Sequence, residues 1–556
     1  MNPARHIAWA GAALFSNSEG AFPPSMSTAA KLAPEGEIGV PVPVSARKDE
    51  FLSRFGNISR QSSIYFAGTI FTTGVGYFLK IYVARSLGAE ALGLYALGMT
   101  IIGFVGVFNS LGLPTAAARF IAAYSARDEK WKLAPFLRGS LALLIAINAG
   151  LVLLVMTAGR WFAAHFYHTP ALGQYLWAFA AIMFAGVLNV FLGQAMAGFG
   201  EISRRTFVTH FTATITTAAI AVFLIVMGYG LTGYLAAQVA SAVLVFLLLA
   251  LCIWKMMPHG VAARGSALRI EREVMDFSAA AFGVAALQFV FSQTDLIVVG
   301  HYFDAREVGI YAVAMALVGF VPIALDSVNQ IFAPIISELH AAGDSRLLQR
   351  LYSTLTKWIL ILTFPLALTT VVFASGLVSI FGPAFRAGSI VVAIGAVGQF
   401  VNCAVGSVGY LLLMSGNESE LLKVQAISAG LLVGLDLALV PRLGIAGAIM
   451  ATACTTITSN VWLLRRVRRR LGMFPYHRGY FKLIAPALGS VAGVLFLARN
   501  FAGVHRQWAL AGIAMAVAYA IFLGMIALNG LDDDDRAVAR AARARCGDFF
   551  QRLTTA

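Results

Sequence analysis

The sequence predicts an all-α integral membrane protein with about fourteen transmembrane helices, and three observations carry that expectation. Of 556 residues, 59% are hydrophobic and only 12% are charged, roughly half the charged share of an ordinary soluble domain. Runs of about twenty apolar residues, the length needed to cross a hydrocarbon core, recur along most of the chain. The basic residues between those runs alternate in number. With both termini cytoplasmic, the six internal loops on that side, counted with the span ends that flank them, hold 22 Lys and Arg, and the seven on the other side hold 7. This is the positive-inside bias, and inserting or omitting one helix would reverse every later loop and destroy it.

Taken in order, residues 1–55 read as a disordered cytoplasmic tail, because Pro, Ser, Ala, Lys and Glu dominate there. The stretch His6 to Phe15 has one preceding Arg and no clean small-residue cleavage site, so a signal peptide is not expected. Six spans near 62–84, 92–113, 137–157, 172–198, 208–228 and 232–254 form an N-terminal lobe, 56–258. Six more near 279–300, 308–334, 355–375, 387–413, 419–440 and 444–465 form a C-terminal lobe, 259–470. Helices 13 and 14, near 482–498 and 508–528, occupy 471–530. Residues 531–556, opened by the acidic run Asp532–Asp535, read as a cytoplasmic tail. The run Arg465, Arg466, Arg468, Arg469 and Arg470 is the strongest topological anchor.

The two lobes repeat one another. Residues 89–105 align without gaps on 305–321, with eight of seventeen positions identical, among them Ala89/Ala305, Gly93/Gly309 and Tyr95/Tyr311. Later in each half, Gly230 and Gly233 answer Gly444 and Gly447. Matching elements lie six spans apart, an even number, so both copies cross the membrane in the same sense and are related by an axis along its normal. Two like lobes of this kind can enclose a cavity and alternate access around it.

Polar groups within the spans mark the candidate pathway, since a charge near mid-membrane costs about 2.5–3.5 kcal/mol on insertion scales and normally faces protein or water. Span 1 places Thr69, Thr73, Tyr77 and Lys80 on one helix face, and span 7 places Gln288, Ser292 and Asp295 likewise. At an offset of 215, one residue from the repeat register, Thr73, Tyr77 and Lys80 correspond to Gln288, Ser292 and Asp295. Lys80 and Asp295 are therefore expected at similar depth, able to pair across a cavity. Arg119, Asp326 and Asp436 are further candidates, the last only four residues from its expected helix end. Pro114, Pro322, Pro334 and Pro365 should kink their spans. The Gly430/Gly434 and Gly489/Gly493 spacings should allow close helix packing.

Several function classes are excluded. The net charge of +15 lies on loops of apolar spans, so nucleic acid is not an expected partner. Four cysteines at 252, 403, 454 and 546 show neither paired spacing nor a Cys/His cluster, so no disulfide framework and no metal site is expected. The chain has no nucleotide-phosphate loop and no H-E-x-x-H helix. Its outer loops carry no carboxylate pair suited to glycosyl chemistry, so it reads as a non-enzyme. Any energy source must be an ion gradient, the membrane potential or the gradient of its own cargo.

Four stretches carry a family resemblance: ARSLGAEALGLYALGM (84–99), TDLIVVGHYFDAREVGIYAVAM (294–315), FPLALTTVVFASGLVSIFGPAF (364–385) and PRLGIAGAIMATA (441–453). In order and spacing they resemble the oligosaccharide-flippase, polysaccharide-export family of the multidrug/oligosaccharidyl-lipid/polysaccharide exporter superfamily. The resemblance implies two six-helix lobes in a V shape, a multi-pass place in the bacterial inner membrane, and no cofactor. It implies export of undecaprenyl-diphosphate-linked oligosaccharide from the cytoplasmic to the outer leaflet, with H+ or Na+ coupling and a polysaccharide polymerase complex as a candidate partner. It implies basic cavity residues against the diphosphate, and Lys80, Arg85 and Arg119 are the positions available. A multidrug or cation antiporter of the same superfamily is the alternative.

Overall fold

The computed structural model describes residues 44–127, 129–256, 272–501 and 507–529. Among them the chain is helical, without strands. Eleven helices are long and apolar enough to cross a membrane, or twelve if one bent pair is a single span, so the expected fourteen is not reached by that count. The first candidate, Ile64–Asn109, runs through the places of two expected spans.

Helix α1 (Val44–Asn109) begins well inside the tail expected to be disordered. Its first turns carry Arg, Lys, Glu and Leu, good helix formers that let the spanning helix continue outward. The helix breaks once, at Gly88 (φ 82, ψ −178). α2 (Leu113–Ala126) follows a turn with Leu111 and Gly112 at positive φ, and Pro114 sits in its first turn. There Pro costs nothing, because its missing N–H would be unsatisfied in any case. α3 (Leu133–His165), α4 (Leu176–Gly198), α5 (Ile202–Val226) and α6 (Gly230–Met256) complete the first half. A π-helical turn at Phe207–Thr212 lies within α5.

The second half opens with α7 (Arg272–Tyr302). α8 (Ala305–Val318) and α9 (Ile323–Ala341) are bent by 54° about Pro322, as its position predicts. Pro334 and Pro365 lie inside α9 and α10 (Ser345–Val372). α11 (Ser389–Val405) and α12 (Val408–Met414) are separated by Gly406 at φ 69. α13 (Glu418–Leu443), α14 (Ile445–Leu471), α15 (Ile484–Asn500) and α16 (Gln507–Asn529) follow.

Two compact units result. Unit 1 holds the described residues up to Leu87 together with Gly98–Phe289, and unit 2 holds Gly88–Leu97 with the described residues from Val290 onward. In unit 1, Phe120, Ile121, Phe136, Phe191 and Leu249 join α2, α3, α4 and α6 in one core. Polar side chains there bond to neighbouring backbone: Asn189 Nδ2 donates to the Ala242 carbonyl (2.9 Å) and Ser241 Oγ to that of Ala213 (3.0 Å). In unit 2, Phe373, Val494, Ala511 and Ala514 pack α15 and α16 against the end of α10. Gly489 and Gly493 admit Met525 and Ile521 of α16, so that glycine pair serves packing as expected. Gly430 and Gly434 have nothing within 4 Å of where a Cβ would stand. They lie on an open face of α13, contrary to expectation.

The duplicated glycines perform duplicated tasks. Gly230 (φ 55) and Gly444 (φ 62) turn the chain from α5 to α6 and from α13 to α14. A Cβ on Gly233 would lie 2.9 Å from Leu224 Cβ, and one on Gly447 would lie 2.9 Å from the Val440 amide. Within unit 2 the repeat meets itself. A Cβ on Gly93 would overlap the Ala305 carbonyl, and one on Gly309 would overlap that of Ala89 and lie 2.8 Å from the Gly93 amide.

Candidate functional site

In unit 1, the polar face expected on the first span is open. Thr69 and Thr73 are exposed, Tyr77 and Lys80 are half-buried, and Lys80 Nζ lies 6.0 Å from the Tyr77 ring centroid. At this depth of an apolar helix, an ammonium beside a phenol is a cation and donor set suited to an anionic or polyhydroxylated ligand. Arg85 is exposed at the end of the same stretch. Arg119 is exposed on α2, its guanidinium 5.5 Å from the Phe120 ring. Deeper in unit 1 the π turn of α5 is stitched to α1. Thr72 Oγ1 donates to the His210 carbonyl (3.2 Å) and lies 3.1 Å from Thr214 Oγ1.

α7 divides its polar stripe. Ser292 is exposed and Gln288 half-buried, but Asp295 turns into the interior of unit 2 and is only 7% exposed. Its Oδ2 accepts from Tyr311 on α8 and from Thr452 on α14. Asp295 therefore has its partners within its own unit, rather than the expected pairing with Lys80. Beside it stands Asp436 of α13, wholly buried and facing the Asp295 carboxyl within hydrogen-bonding reach. α13 runs on to Leu443, so Asp436 is deeper than the expected helix end placed it.

The pair is chemically incomplete. Asp295 Oδ1 and both oxygens of Asp436 meet no hydrogen-bond donor among the described residues. Two carboxyls cannot both be ionised side by side in an apolar interior, and such pairs hold a proton between them or a cation. No group of three or more His, Cys, Asp or Glu side chains suited to a metal occurs among the described residues. The hard oxygens of two carboxyls and the Thr452 hydroxyl suit a proton or a monovalent cation. Tyr311 and Thr452 were not singled out in the sequence. Only the repeat marks Tyr311, through its identity with Tyr95.

Asp326, on the first turn of α9 after the bend, is exposed. An exposed carboxylate on a helix among spans faces water or cargo. A buried lysine, Lys357 on α10, was also not foreseen.

Comparison with known proteins identifies the family and the fold. The family of polysaccharide biosynthesis proteins matches residues 82–384, more than half of the chain. A probable flippase, AglR of Haloferax volcanii, is 22% identical over 486 residues, covering 85% of this chain and 96% of its own. The lipid II flippase MurJ superposes with a TM-score of 0.67 at 15% identity, covering 83% of this chain and 98% of its own. A multidrug resistance MATE family transporter of the MOP superfamily superposes with a TM-score of 0.61 at 15% identity, covering 73% and 98%. At that identity the structural likenesses establish the fold alone.

Proposed function

This chain is a member of the polysaccharide biosynthesis protein family, and from that premise we propose that it is a flippase. It carries undecaprenyl-diphosphate-linked oligosaccharide from the cytoplasmic to the outer leaflet of the bacterial inner membrane by alternating access. The observation that carries the reading is the alignment of a probable flippase over 85% of the chain. The open polar face of α1 supports it. Lys80 and Arg119 supply positive charge for the diphosphate, and Thr73, Tyr77, Gln288, Ser292 and Asp326 supply hydrogen-bonding groups for the glycan. Flipping of a labelled undecaprenyl-diphosphate sugar in proteoliposomes tests it. Transport by the wild type, lost in a fully inserted Lys80→Ala variant, is expected. Failure on several such lipids, with efflux of a cationic dye, would favour the multidrug-antiporter reading.

Asp295 and Asp436 serve ion coupling in this proposal. Loading the carboxyl pair with H+ or Na+ neutralises a charge that the apolar interior of unit 2 tolerates poorly. The loaded and empty states then favour different packings, which is what coupling to a gradient requires. Asp436→Asn should abolish the dependence of flipping on an imposed Na+ or H+ gradient while downhill flipping continues. Unchanged gradient dependence would remove the pair from this role.

A further inference from the structure

The cytoplasmic end of unit 2 carries a feature that transport does not use. α14 has 27 residues, about 40 Å of helix against a hydrocarbon core of about 30 Å, so its arginine-rich end projects beyond the bilayer. Of the five arginines there, Arg468 is exposed with its guanidinium 5.2 Å from the Phe474 ring, and the other four divide by face. Arg466 and Arg470, one turn apart, reach Glu420 of α13 at 3.1 and 2.9 Å. Arg465 and Arg469, also one turn apart, are exposed and pair with no acidic group among the described residues.

The chain then folds back as a fixed ledge. Met473 and Pro475 are buried, while Phe474 and Tyr476 between and beyond them are exposed. The Gln349 amide holds the Phe474 backbone twice: Nε2 donates to its carbonyl (2.7 Å), and Oε1 accepts from its N–H (3.0 Å). Tyr476 donates to the Ala404 carbonyl at 2.8 Å and Tyr480 to that of Ser353 at 2.9 Å. Arg478 and Lys482 are exposed along the ledge, and Phe481, 72% exposed, stands where the chain turns into the apolar helix α15. From 465 to 482 there are six arginines, one lysine and no acidic residue.

We propose that Arg465, Arg469 and Arg478, with Phe474 and Phe481, form a docking ledge for anionic phospholipid headgroups of the cytoplasmic leaflet. Exposed cations beside exposed aromatic rings, on backbone held rigid at the level where a span begins, match the two layers of a bilayer interface: phosphate above, acyl boundary below. The commitment is to bulk anionic phospholipid rather than the cargo diphosphate. These cations are spread along a ledge and serve separate single charges, whereas a diphosphate calls for convergent donors.

Native mass spectrometry of the detergent-purified full chain, given equal dioleoylphosphatidylglycerol and dioleoylphosphatidylcholine, tests the proposal without measuring transport. The wild type should retain phosphatidylglycerol preferentially. The R465Q/R469Q/R478Q variant should lose that retention by at least about fivefold, the expectation for even one basic group at about 1 kcal/mol. R465K/R469K/R478K should keep it, since charge and not fork geometry is what the ledge offers, and a thermal midpoint matching wild type would show that the Gln variant is folded. Equal retention of the two lipids by wild type, or unchanged preference in the Gln variant, would overturn the proposal. So would one-for-one displacement of phosphatidylglycerol by undecaprenyl diphosphate.

Discussion

Replacing Gly309 by Ala puts a methyl where the two repeats touch most closely. Its Cβ would lie 2.8 Å from the Gly93 amide and overlap the Ala89 carbonyl, whereas ordinary contact begins at 3.4 Å. Both obstructing groups are backbone within a helix, so no rotamer change relieves them, and the two segments must separate. Overpacking of this kind costs about 1–3 kcal/mol, and backbone overlap places it in the upper part of that range. For units of about this size each kcal/mol moves the unfolding midpoint by about 2–4 °C, so a fall of roughly 4–12 °C is expected. Thermal unfolding in detergent, followed with a thiol-reactive dye, is the assay. Gly430→Ala is the control: nothing stands within 4 Å of its Cβ, and Ala favours a helix by about 0.5–1 kcal/mol. It should leave the midpoint unchanged or raise it. Gly93→Ala should act like Gly309→Ala, and the double variant should cost less than the sum, because the first separation makes room for the second methyl. Gly309→Ala and Gly430→Ala behaving alike would refute the reasoning.

Four other outcomes follow from the same geometry. Gly406→Ala should destabilise by more than about 1 kcal/mol, because the residue stands at φ 69 and its Cβ would press on Thr356, readable as a lowered midpoint. Thr452→Val removes one of two donors to Asp295 Oδ2 and should cost about 1–3 kcal/mol; loss of less than a few tenths would show that the bond contributes little. Gly230→Ala and Gly444→Ala force the same left-handed φ on a side chain and should lower the midpoint by similar amounts, about 1–2 kcal/mol each. Lys80→Gln keeps a donor but loses the charge, so flipping should fall as far as in Lys80→Ala if the diphosphate is what Lys80 meets, with membrane insertion unchanged by fractionation.

Most of the fold is legible in the sequence because a bilayer imposes a length and a sign on every element. Spans of about twenty apolar residues and alternating basic loops encode helices directly. The repeat is legible through glycines, because a close approach or a left-handed turn admits little else. Gly233 and Gly447 each stand where a Cβ would meet the opposing helix of a hairpin. Gly430 and Gly434 show the limit of that inference. Their spacing is the one that brings helices together, yet the face they lie on carries the exposed Ile427 and Leu437. Small residues permit close packing without requiring it. The helix starting at Val44 was missed for a related reason: charged residues signal solvent, and they form helix in solvent as readily as loop.

The site was legible in part, because period and depth fix a helix face but not what that face meets. The stripe on α1 is open as its spacing implies, whereas on α7 the same spacing divides between an exposed Ser292 and a buried Asp295. The difference lies in partners distant in sequence, Tyr311, Asp436 and Thr452, which no local pattern joins. Carried across the repeat, Tyr311, Asp436 and Thr452 correspond to Tyr95, Val222 and Gln238, and Lys80 lies one residue from the position opposite Asp295. The backbone devices stand in both copies, the turn glycines and the close-contact glycines alike, while the carboxyl pair stands only in the second. A cation can be held by the acidic copy and is repelled by the basic one, whose open ammonium suits an anion instead. On the proposed function this asymmetry divides two tasks, the proposed ion uptake falling to the carboxyl pair of unit 2 and the proposed contact with anionic cargo to the face of α1 in unit 1.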